Sequence, residues 1–300
     1  MLNIAFHPKY QLPLPEKHRF PMEKYDLLPR QLIHDGTCLK EDFFIPTPID
    51  ISIIERVHEP EYIQKLLTLN LNKSEIRKIG FPLSKGLVER EIIIAGGTIQ
   101  GAIKAFETGI AMNIAGGTHH AFKRRGEAFC LLNDQAIAAQ YLIDQKLADR
   151  ILIVDLDVHQ GNGTAEIFKS NPNVFTFSMH GQKNYPFHKE QSDLDIALED
   201  DCNDGDFLGA LKKNLPDLIN KIRPNFIFYL SGVDVLKTDK LGRLGLTIAG
   251  CKQRDFFVLE LCKKYNIPIQ CSMGGGYSKE IKIIVDAHAN TFRAAKHIFY

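Results

Sequence analysis

Hydrophobic residues along the chain form two kinds of pattern. Continuous apolar runs rich in β-branched and aromatic residues occupy positions 2–6, 110–114, 151–156, 174–179, 226–231 and 268–273, as expected for strands buried on both faces of a sheet. Helical spacing prevails in 134–145, 206–221, 251–265 and 278–297. This alternation predicts the α/β class, with a single open, doubly wound, mostly parallel sheet flanked by helices.

The first ninety residues are less regular, because prolines at 8, 13, 15, 21, 29, 46 and 48 interrupt any long element. We expect loops and short helices there, packed against the sheet edge and shaping the rim of a pocket. No repeat, low-complexity tract or Gly/Ser linker divides the sequence. Residues 1–300 are therefore expected to form a single domain.

Composition narrows the classes of partner. Apolar residues make up 44% and charged residues 24%, an ordinary globular mixture. Lys and Arg number 37 against 36 Asp and Glu, so no global field attracts nucleic acid or an anionic membrane, and a polyanionic partner would need a local patch. The run Lys123-Arg124-Arg125 could meet an acidic substrate, but such runs are more often solvated loops.

The sequence also indicates a compartment. The N-terminal segment lacks the basic and apolar regions of a signal peptide, and no apolar run reaches the roughly 20 residues of a spanning helix. The six cysteines are dispersed without a C-x-x-C pair, which favours reduced thiols over disulfides or thiolate-bound zinc. We expect a cytoplasmic protein; the oligomeric state stays open.

Candidate chemistry begins at the end of the run 151–156. Asp155, Asp157 and His159 follow one another at spacings of two, so their side chains share one side of an extended backbone. Asp157 and His159 could share a cation, and Asp155 could bond a neighbouring histidine. An Asp-rich turn that caps the next helix explains this segment alone about equally well.

Three other predicted strands also end in polar residues. His119 and His120 follow a Gly-Gly turn, Asp234 follows the run 226–231, and Tyr277 follows three glycines. Separately, these could be an acid/base pair, a helix cap and a loop that approaches a ligand closely. Together, two carboxylates and one imidazole indicate an open three-ligand zinc site with room for water and a substrate oxygen.

These segments, with others along almost the whole chain, resemble the histone deacetylase family, which has the arginase/deacetylase fold. The similarity is carried by His7-Pro8-x-Tyr10, Arg19-Phe20-Pro21-Met22-x-Lys24-Tyr25, Val57-His58-x-Pro60-x-Tyr62, Gly96-Gly97-Thr98, Gly117-x-His119-His120-Ala121, Phe129-Cys130-x-x-Asn133-Asp134, Asp155-x-Asp157-x-His159-x-Gly161-Asn162-Gly163, Gly232-x-Asp234 and Gly274-Gly275-Gly276-Tyr277. The wording around Gln160 and the pair Tyr185-Pro186 are similar to the class IV branch and its bacterial relatives.

The resemblance implies a zinc-dependent lysine deacetylase or deacylase that hydrolyses a linear amide. It implies Asp157, His159 and Asp234 as zinc ligands, with His120 as the proton-transfer group. His119 would be its electrostatic partner, oriented by Asp155, and Tyr277 would donate to the oxyanion of the tetrahedral intermediate.

Further residues acquire expected roles in the same way. Phe129, Ala128, Tyr185 and Gly275 match the tunnel for the acyl-lysine side chain, although core packing explains Phe129 equally well. A structural potassium ion would lie among Asp155, Asp157, His159, Ser178 and Met179, largely on backbone carbonyls, and part of a second such site corresponds to Phe168, Asn171 and Val174.

Three departures from the family pattern affect these expectations. Asn162 replaces the aspartate that backs the second histidine in other classes, which makes His120 less basic and leaves the pH optimum open. Gln160 replaces a histidine. Ala128 stands where many relatives have glycine, and its methyl group could narrow or reshape the acyl pocket, so acetyl selectivity does not follow.

Alternative functions remain. A binuclear manganese ureohydrolase of the same fold needs two carboxylates two residues apart in the segment of Asp234, whereas Val235 and Leu236 follow Asp234. An acylpolyamine or other small-molecule deacetylase shares all the zinc chemistry, and nothing in the sequence excludes it. A non-catalytic acyl-lysine binding module would not need both histidines and Tyr277.

Overall fold

A computed structural model describes residues 1–300 and contains one eight-stranded sheet. The strands are β1 (Asn3–Ala5), β2 (Phe43–Phe44), β3 (Ile110–Asn113), β4 (Ile151–Asp155), β5 (Val174–Gly181), β6 (Leu194–Leu198), β7 (Phe226–Leu230) and β8 (Ile269–Ser272). Their order is β2-β1-β3-β8-β7-β4-β5-β6, and every neighbouring pair is parallel. The α/β prediction is confirmed, and the sheet is parallel throughout.

Helices cover both faces of the sheet and fill the N-terminal segment. They are α1 (Lys24–His34), α2 (Ile51–Ile54), α3 (Pro60–Leu67), α4 (Lys73–Ile79), α5 (Lys85–Thr108), α6 (Asp134–Asp144), α7 (Asn162–Phe168), α8 (Asp204–Ile222), α9 (Ile248–Tyr265) and α10 (Ile281–Phe299). The four helices expected from periodicity are α6, α8, α9 and α10, with ends that differ by up to three residues.

The N-terminal expectation was correct for short helices and wrong about proline as a barrier. Pro29 lies inside α1, where it costs one helical hydrogen bond without ending the helix. The long helix α5 was not expected, because Gly96 and Gly97 look like a turn. In the helix they allow close approach: a Cβ on Gly96 would lie 2.1 Å from the Thr47 carbonyl oxygen, and one on Gly97 would lie 2.5 Å from the Tyr10 hydroxyl.

Two edge strands were also missed. Strand β2 has only two residues, and β6 has one fully buried position among its five. Neither therefore shows the continuous apolar run by which a central parallel strand is recognised. All six cysteines are buried and free of disulfides, as expected, and none of the helices combines the length and apolarity needed to cross a bilayer.

The strands that end in candidate catalytic residues are neighbours. Strands β3, β8, β7 and β4 lie side by side at the centre of the sheet, and all point the same way. Their carboxyl ends therefore meet at one edge, where open α/β sheets bind ligands. This topology brings together four segments that are far apart in the sequence.

A fully buried ion pair supports the strand ends from below. The Arg254 guanidinium on α9 donates to the carbonyl oxygens of Leu156, Ser231 and Gly232 at distances of 2.6–3.3 Å. Its partner Asp255 accepts hydrogen bonds from Tyr229, Thr291 and Arg254. Leu156 directly precedes Asp157, and Gly232 lies two residues before Asp234. The Arg254–Asp255 ion pair therefore fixes the backbone that presents these candidate metal ligands.

We predict that Arg254→Met lowers the free energy of unfolding by about 3–5 kcal/mol, because it leaves the Asp255 carboxylate buried without its partner. Urea denaturation measures the change. The control is Arg30→Met, which removes an exposed pair with Asp26 and should cost less than about 1 kcal/mol. Equal costs for the two variants would contradict the prediction.

Candidate metal centre and acyl pocket

Asp157, His159 and Asp234 form a compact group of potential metal ligands. Their ligand atoms all lie within 4.8 Å of one another, and all three side chains are buried. The Nδ1 atom of His159 is 3.0 Å from Asp157 Oδ1 and 3.2 Å from Asp234 Oδ2. Two carboxylates and one imidazole nitrogen thus converge on a single position.

Backbone groups orient both carboxylates. Asp157 Oδ2 accepts a hydrogen bond from the Gly275 N–H, and Asp234 Oδ1 accepts one from the Val158 N–H. Gly275 has to be glycine for this approach, because a Cβ there would lie 2.0 Å from Asp234 Oδ2. The Gly-rich loop therefore supports the ligand group, which is a more direct role than lining the tunnel wall.

The local charges favour a cation at this position. Burial and the neighbouring Asp157 raise the pKa of Asp234 to about 7. Burial opposes protonation of His159, yet its bonds to both carboxylates raise its pKa to about 10. The group therefore favours positive charge at the His159 nitrogen, and its open donor set fits zinc.

Lys24 is a second source of positive charge, and sequence reasoning gave it no role. It is fully buried, and its Nζ donates to the Gly274 carbonyl oxygen at 3.0 Å. Burial lowers the pKa of Lys24 to about 8, although Asp234 and Asp157 act in the opposite direction. Lys24 lies among other charged residues, such as Glu23 and Asp26, so no local signal in the sequence identifies it.

His119 and His120 have different electrostatic surroundings. His119 Nδ1 is 2.7 Å from Asp155 Oδ2, as expected. Burial disfavours its charged form, but the carboxylates of Asp155 and Asp157 outweigh this effect and raise the pKa of His119. Asp155 is itself held in place by the Asp157 N–H.

The tautomer of His120 follows from its contact with Asn162. Asn162 Oδ1 accepts a hydrogen bond from the Gly163 N–H at 3.0 Å and lies 2.6 Å from His120 Nδ1. Since a backbone N–H only donates, this oxygen is an acceptor, and Nδ1 of His120 carries the proton. Burial, followed by His119 and His159, holds the pKa of His120 well below its usual value. Nε2 of neutral His120 is therefore free to accept a proton.

The loop that carries both histidines is anchored by Asp134. Its Oδ1 accepts from the backbone N–H groups of Gly117 and Thr118, and its Oδ2 accepts from the hydroxyls of Thr98 and Ser272. The sequence showed Asp134 within a family motif but did not indicate this role. Because its partners come from three separate segments, only the fold reveals this role.

A cavity of about 500 Å³ leads to this group. It is lined by His119, His120, Asp157 and His159, and by Ala128, Phe129, Tyr185, Gly275 and Tyr277. Phe129 also packs against Phe20, Phe81 and Tyr277, so it belongs to the aromatic core as well as to the cavity wall, and its contact with an acyl-lysine stays a prediction. The Tyr185 ring lies edge-on to His120, with 5.0 Å between ring centroids.

The turn that carries Phe129 is conformationally unusual. Ala128 and Phe129 have φ of +45° and +69°, a left-handed conformation that costs L-residues about 1–2 kcal/mol each. Their N–H groups donate to the carbonyls of Lys78 and Ile79, which keeps the turn against α4. The positive φ gives a physical reason for glycine at the position of Ala128 in related proteins.

The residues expected to hold the first potassium ion lie on or just after the neighbouring strands β4 and β5. Asp155 lies opposite Ser178 in the neighbouring strands β4 and β5, and Met179 is the next residue on β5. Both potassium sites stay predictions.

Gln160 donates from Nε2 to Asp195 and to the Glu190 carbonyl oxygen. It therefore connects the site to β6 and to the loop before it.

His58 is a further residue that the sequence did not single out. Its Nδ1 is 2.8 Å from the Phe122 carbonyl oxygen, and its Nε2 is 3.0 Å from the Asn133 backbone nitrogen. The carbonyl must accept and the N–H must donate, so His58 is neutral with its proton on Nδ1. It joins the loop after His120 to the start of α6.

Comparison with known proteins identifies the family of this chain. The histone deacetylase domain model matches residues 18–292. An uncharacterized protein of Picosynechococcus is 45% identical over 99% of both chains. Histone deacetylase 2 of Arabidopsis thaliana is 28% identical over 97% of this chain and 79% of its own length. The chain belongs to the histone deacetylase family.

Solved structures show the same fold. A histone deacetylase homolog crystallised with SAHA superposes with a TM-score of 0.85 at 24% identity, over 99% of this chain and 84% of the other. A homolog from Aquifex aeolicus gives a TM-score of 0.83 at 24% identity, over 98% of this chain and 84% of the other. The expected family resemblance is confirmed, whereas membership of the class IV branch stays a prediction.

The first prediction from this site concerns pH. Burial lowers the pKa of His58 from 6.5 to about 4, so its contribution to stability is complete above pH 6.5 and is lost as the pH falls to about 4. The free-energy advantage of the wild type over His58→Gln should shrink by about 3 kcal/mol between pH 7 and pH 4. Chemical denaturation across this range measures it. A constant difference between the wild type and His58→Gln across this range would refute the assignment.

The second prediction concerns the left-handed turn. Ala128→Gly should raise the free energy of unfolding by about 1 kcal/mol, because glycine adopts positive φ without steric cost. Thermal or urea denaturation measures the gain. Ala210→Gly, in the middle of α8, should lower stability by about 0.5–1 kcal/mol. Loss of stability in both variants would show that the turn is not strained.

Proposed function

We propose that the protein is a zinc-dependent amidohydrolase that removes acyl groups from the side-chain amine of lysine. The observation that carries the proposal is the position of neutral His120, whose Nδ1 is held by Asn162 and whose ring centroid is 5.9 Å from that of His159. A proton acceptor thus lies beside a buried three-ligand group at the inner end of a cavity with aromatic walls.

Asp157, His159 and Asp234 would hold the zinc ion, which when bound supplies Lewis acidity to the acyl carbonyl and to the attacking water. His120 Nε2 takes a proton from that water as its oxygen forms a bond to the carbonyl carbon. The same nitrogen then gives the proton to the lysine amine as the C–N bond breaks, which yields free lysine and a carboxylate.

Other side chains prepare the site for these transfers. His119, which shares a proton with Asp155, keeps positive charge beside the developing oxyanion. Burial, together with Asp234 and Asp157, raises the pKa of Tyr277 well above its usual value, so its hydroxyl stays protonated and able to donate a hydrogen bond. Phe129 and Tyr185 would contact the aliphatic stem of the substrate lysine and exclude water.

Tyr277→Phe tests this proposal because it removes a single donor. Against acetyl-, octanoyl- and myristoyl-lysine peptides, kcat should fall by about 10²–10³, and the chain-length profile of the wild type defines the acyl pocket. Removal of zinc with a chelator should abolish turnover, and added zinc should restore it.

Tyr265→Phe, on the exposed end of α9, is the matched control and should keep full activity. Cleavage of an acetylated polyamine without cleavage of any peptide would replace the substrate assignment and keep the residue roles. Peptide binding without turnover by zinc-loaded wild type would refute hydrolysis altogether.

A further inference from the structure

The mouth of the acyl cavity carries a concentration of positive charge that the catalytic chemistry does not use. Five exposed cations line the cavity, and we call them the basic rim: Arg19, Lys78, Lys183, Lys240 and Arg243. The only acidic residue that lines the cavity is Asp157, which belongs to the candidate metal centre. One further cation, Arg90, is buried and paired with Glu91.

Most of the basic rim is electrostatically uncompensated. Lys183 and Arg243 share one carboxylate, Asp200, at 3.7 and 2.6 Å. Arg19, Lys78 and Lys240 take part in no ion pair. Glu127, beside the cavity wall, is already occupied by Arg125 and by the Tyr185 hydroxyl, and Asp239 accepts hydrogen bonds from the backbone N–H groups of Leu241, Gly242 and Tyr277. The five cations of the basic rim thus form ion pairs with only one carboxylate, Asp200.

Cations of the basic rim lie near both Phe129 and Tyr185 of the cavity wall. The Arg19 guanidinium lies 5.0 Å from the centroid of the Phe129 ring, and the Lys78 carbonyl holds the Ala128 N–H. Asn184, next to Tyr185, donates to the Leu241 carbonyl and accepts from the Arg243 N–H, which places Lys240 and Arg243 near Tyr185. A bound acyl-lysine would therefore place its neighbouring residues between cations.

The net charge of the whole chain is only +1, so this accumulation is local. A cleft lined by charges of one sign raises the local concentration of oppositely charged ligands and accelerates their association, in a manner that salt suppresses. An acylated lysine side chain is itself neutral. The charges next to it in the substrate therefore decide whether the rim attracts or repels.

Given the proposed lysine deacylase activity, on which this inference rests, we propose that the substrate is an acyl-lysine in an acidic protein segment. Aspartate or glutamate side chains on either side of the lysine pair with the basic rim. Segments rich in lysine and arginine, such as histone tails, and cationic polyamines are disfavoured by repulsion at the same surface.

The test uses three peptides that share one acyl-lysine and differ only in its neighbours, which are acidic, neutral or basic. At low salt, kcat/KM should be highest for the acidic and lowest for the basic peptide, with about a tenfold ratio between them, and this ratio should fall as ionic strength rises. Equilibrium binding of the same peptides to Tyr277→Phe gives the preference independently of turnover.

Lys78→Glu/Lys240→Glu should lower the acidic-to-basic ratio by about tenfold, since two attractive contacts become repulsive. Lys213→Glu/Lys252→Glu, with the same change in net charge on exposed positions of α8 and α9 outside the cavity, should leave the ratio unchanged. This control separates the local rim from the overall charge.

Equal turnover and equal binding of the three peptides would overturn the inference, while turnover of the neutral peptide would still support the deacylase. Failure of the proposed function would look different. Binding that follows peptide charge without turnover of any peptide would support the charge preference of the basic rim and refute the hydrolase. An effect of the same size in both double variants would overturn the rim. So would salt-sensitive inhibition by single-stranded DNA without any preference among the peptides, which would assign the surface to nucleic acid.

Discussion

The burial of two carboxylates side by side is the constraint on which the rest of this site depends. Asp157 and Asp234 are almost completely removed from water, and like charges so placed are unfavourable unless positive charge and hydrogen-bond donors surround them. The protein supplies His159, the Lys24 ammonium and backbone N–H groups. The backbone N–H of residue 275 must approach the Asp157 carboxylate closely, which explains the glycine at this position. The buried Arg254 holds the backbone of the strand ends that present these groups.

The two histidines show how neighbouring groups of one type acquire different properties. Their rings are 4.1 Å apart, yet one is backed by a carboxylate and the other by an amide oxygen. The carboxylate favours an imidazolium at His119, and that charge in turn disfavours a second proton on His120. A single substitution of Asp155 or Asn162 would change the difference in pKa between the two histidines. Asn162 is therefore as informative as the histidines themselves.

The sequence predicted the central strands and the ligand group well, because buried parallel strands give continuous apolar runs and polar residues at their ends stand out. The edge strands β2 and β6 and the helix α5 escaped prediction, since short or half-exposed strands lack that signal and Gly96-Gly97 resembles a turn. The roles of Asp134, His58 and Lys24 depend on contacts with distant segments. Patterns in the local amino-acid sequence do not reveal such contacts.

The hydrogen bond from Lys24 to Gly274 joins residues that are 250 positions apart. Most of the chain must therefore be synthesised before this contact exists, and contacts of such sequence separation form slowly because loop closure is costly. Asp134 and Ser272, 138 positions apart, impose a similar delay. A chain still emerging from the ribosome thus lacks the ordered carboxylates of the candidate metal centre, and this centre is complete only when the two ends of the polypeptide have met.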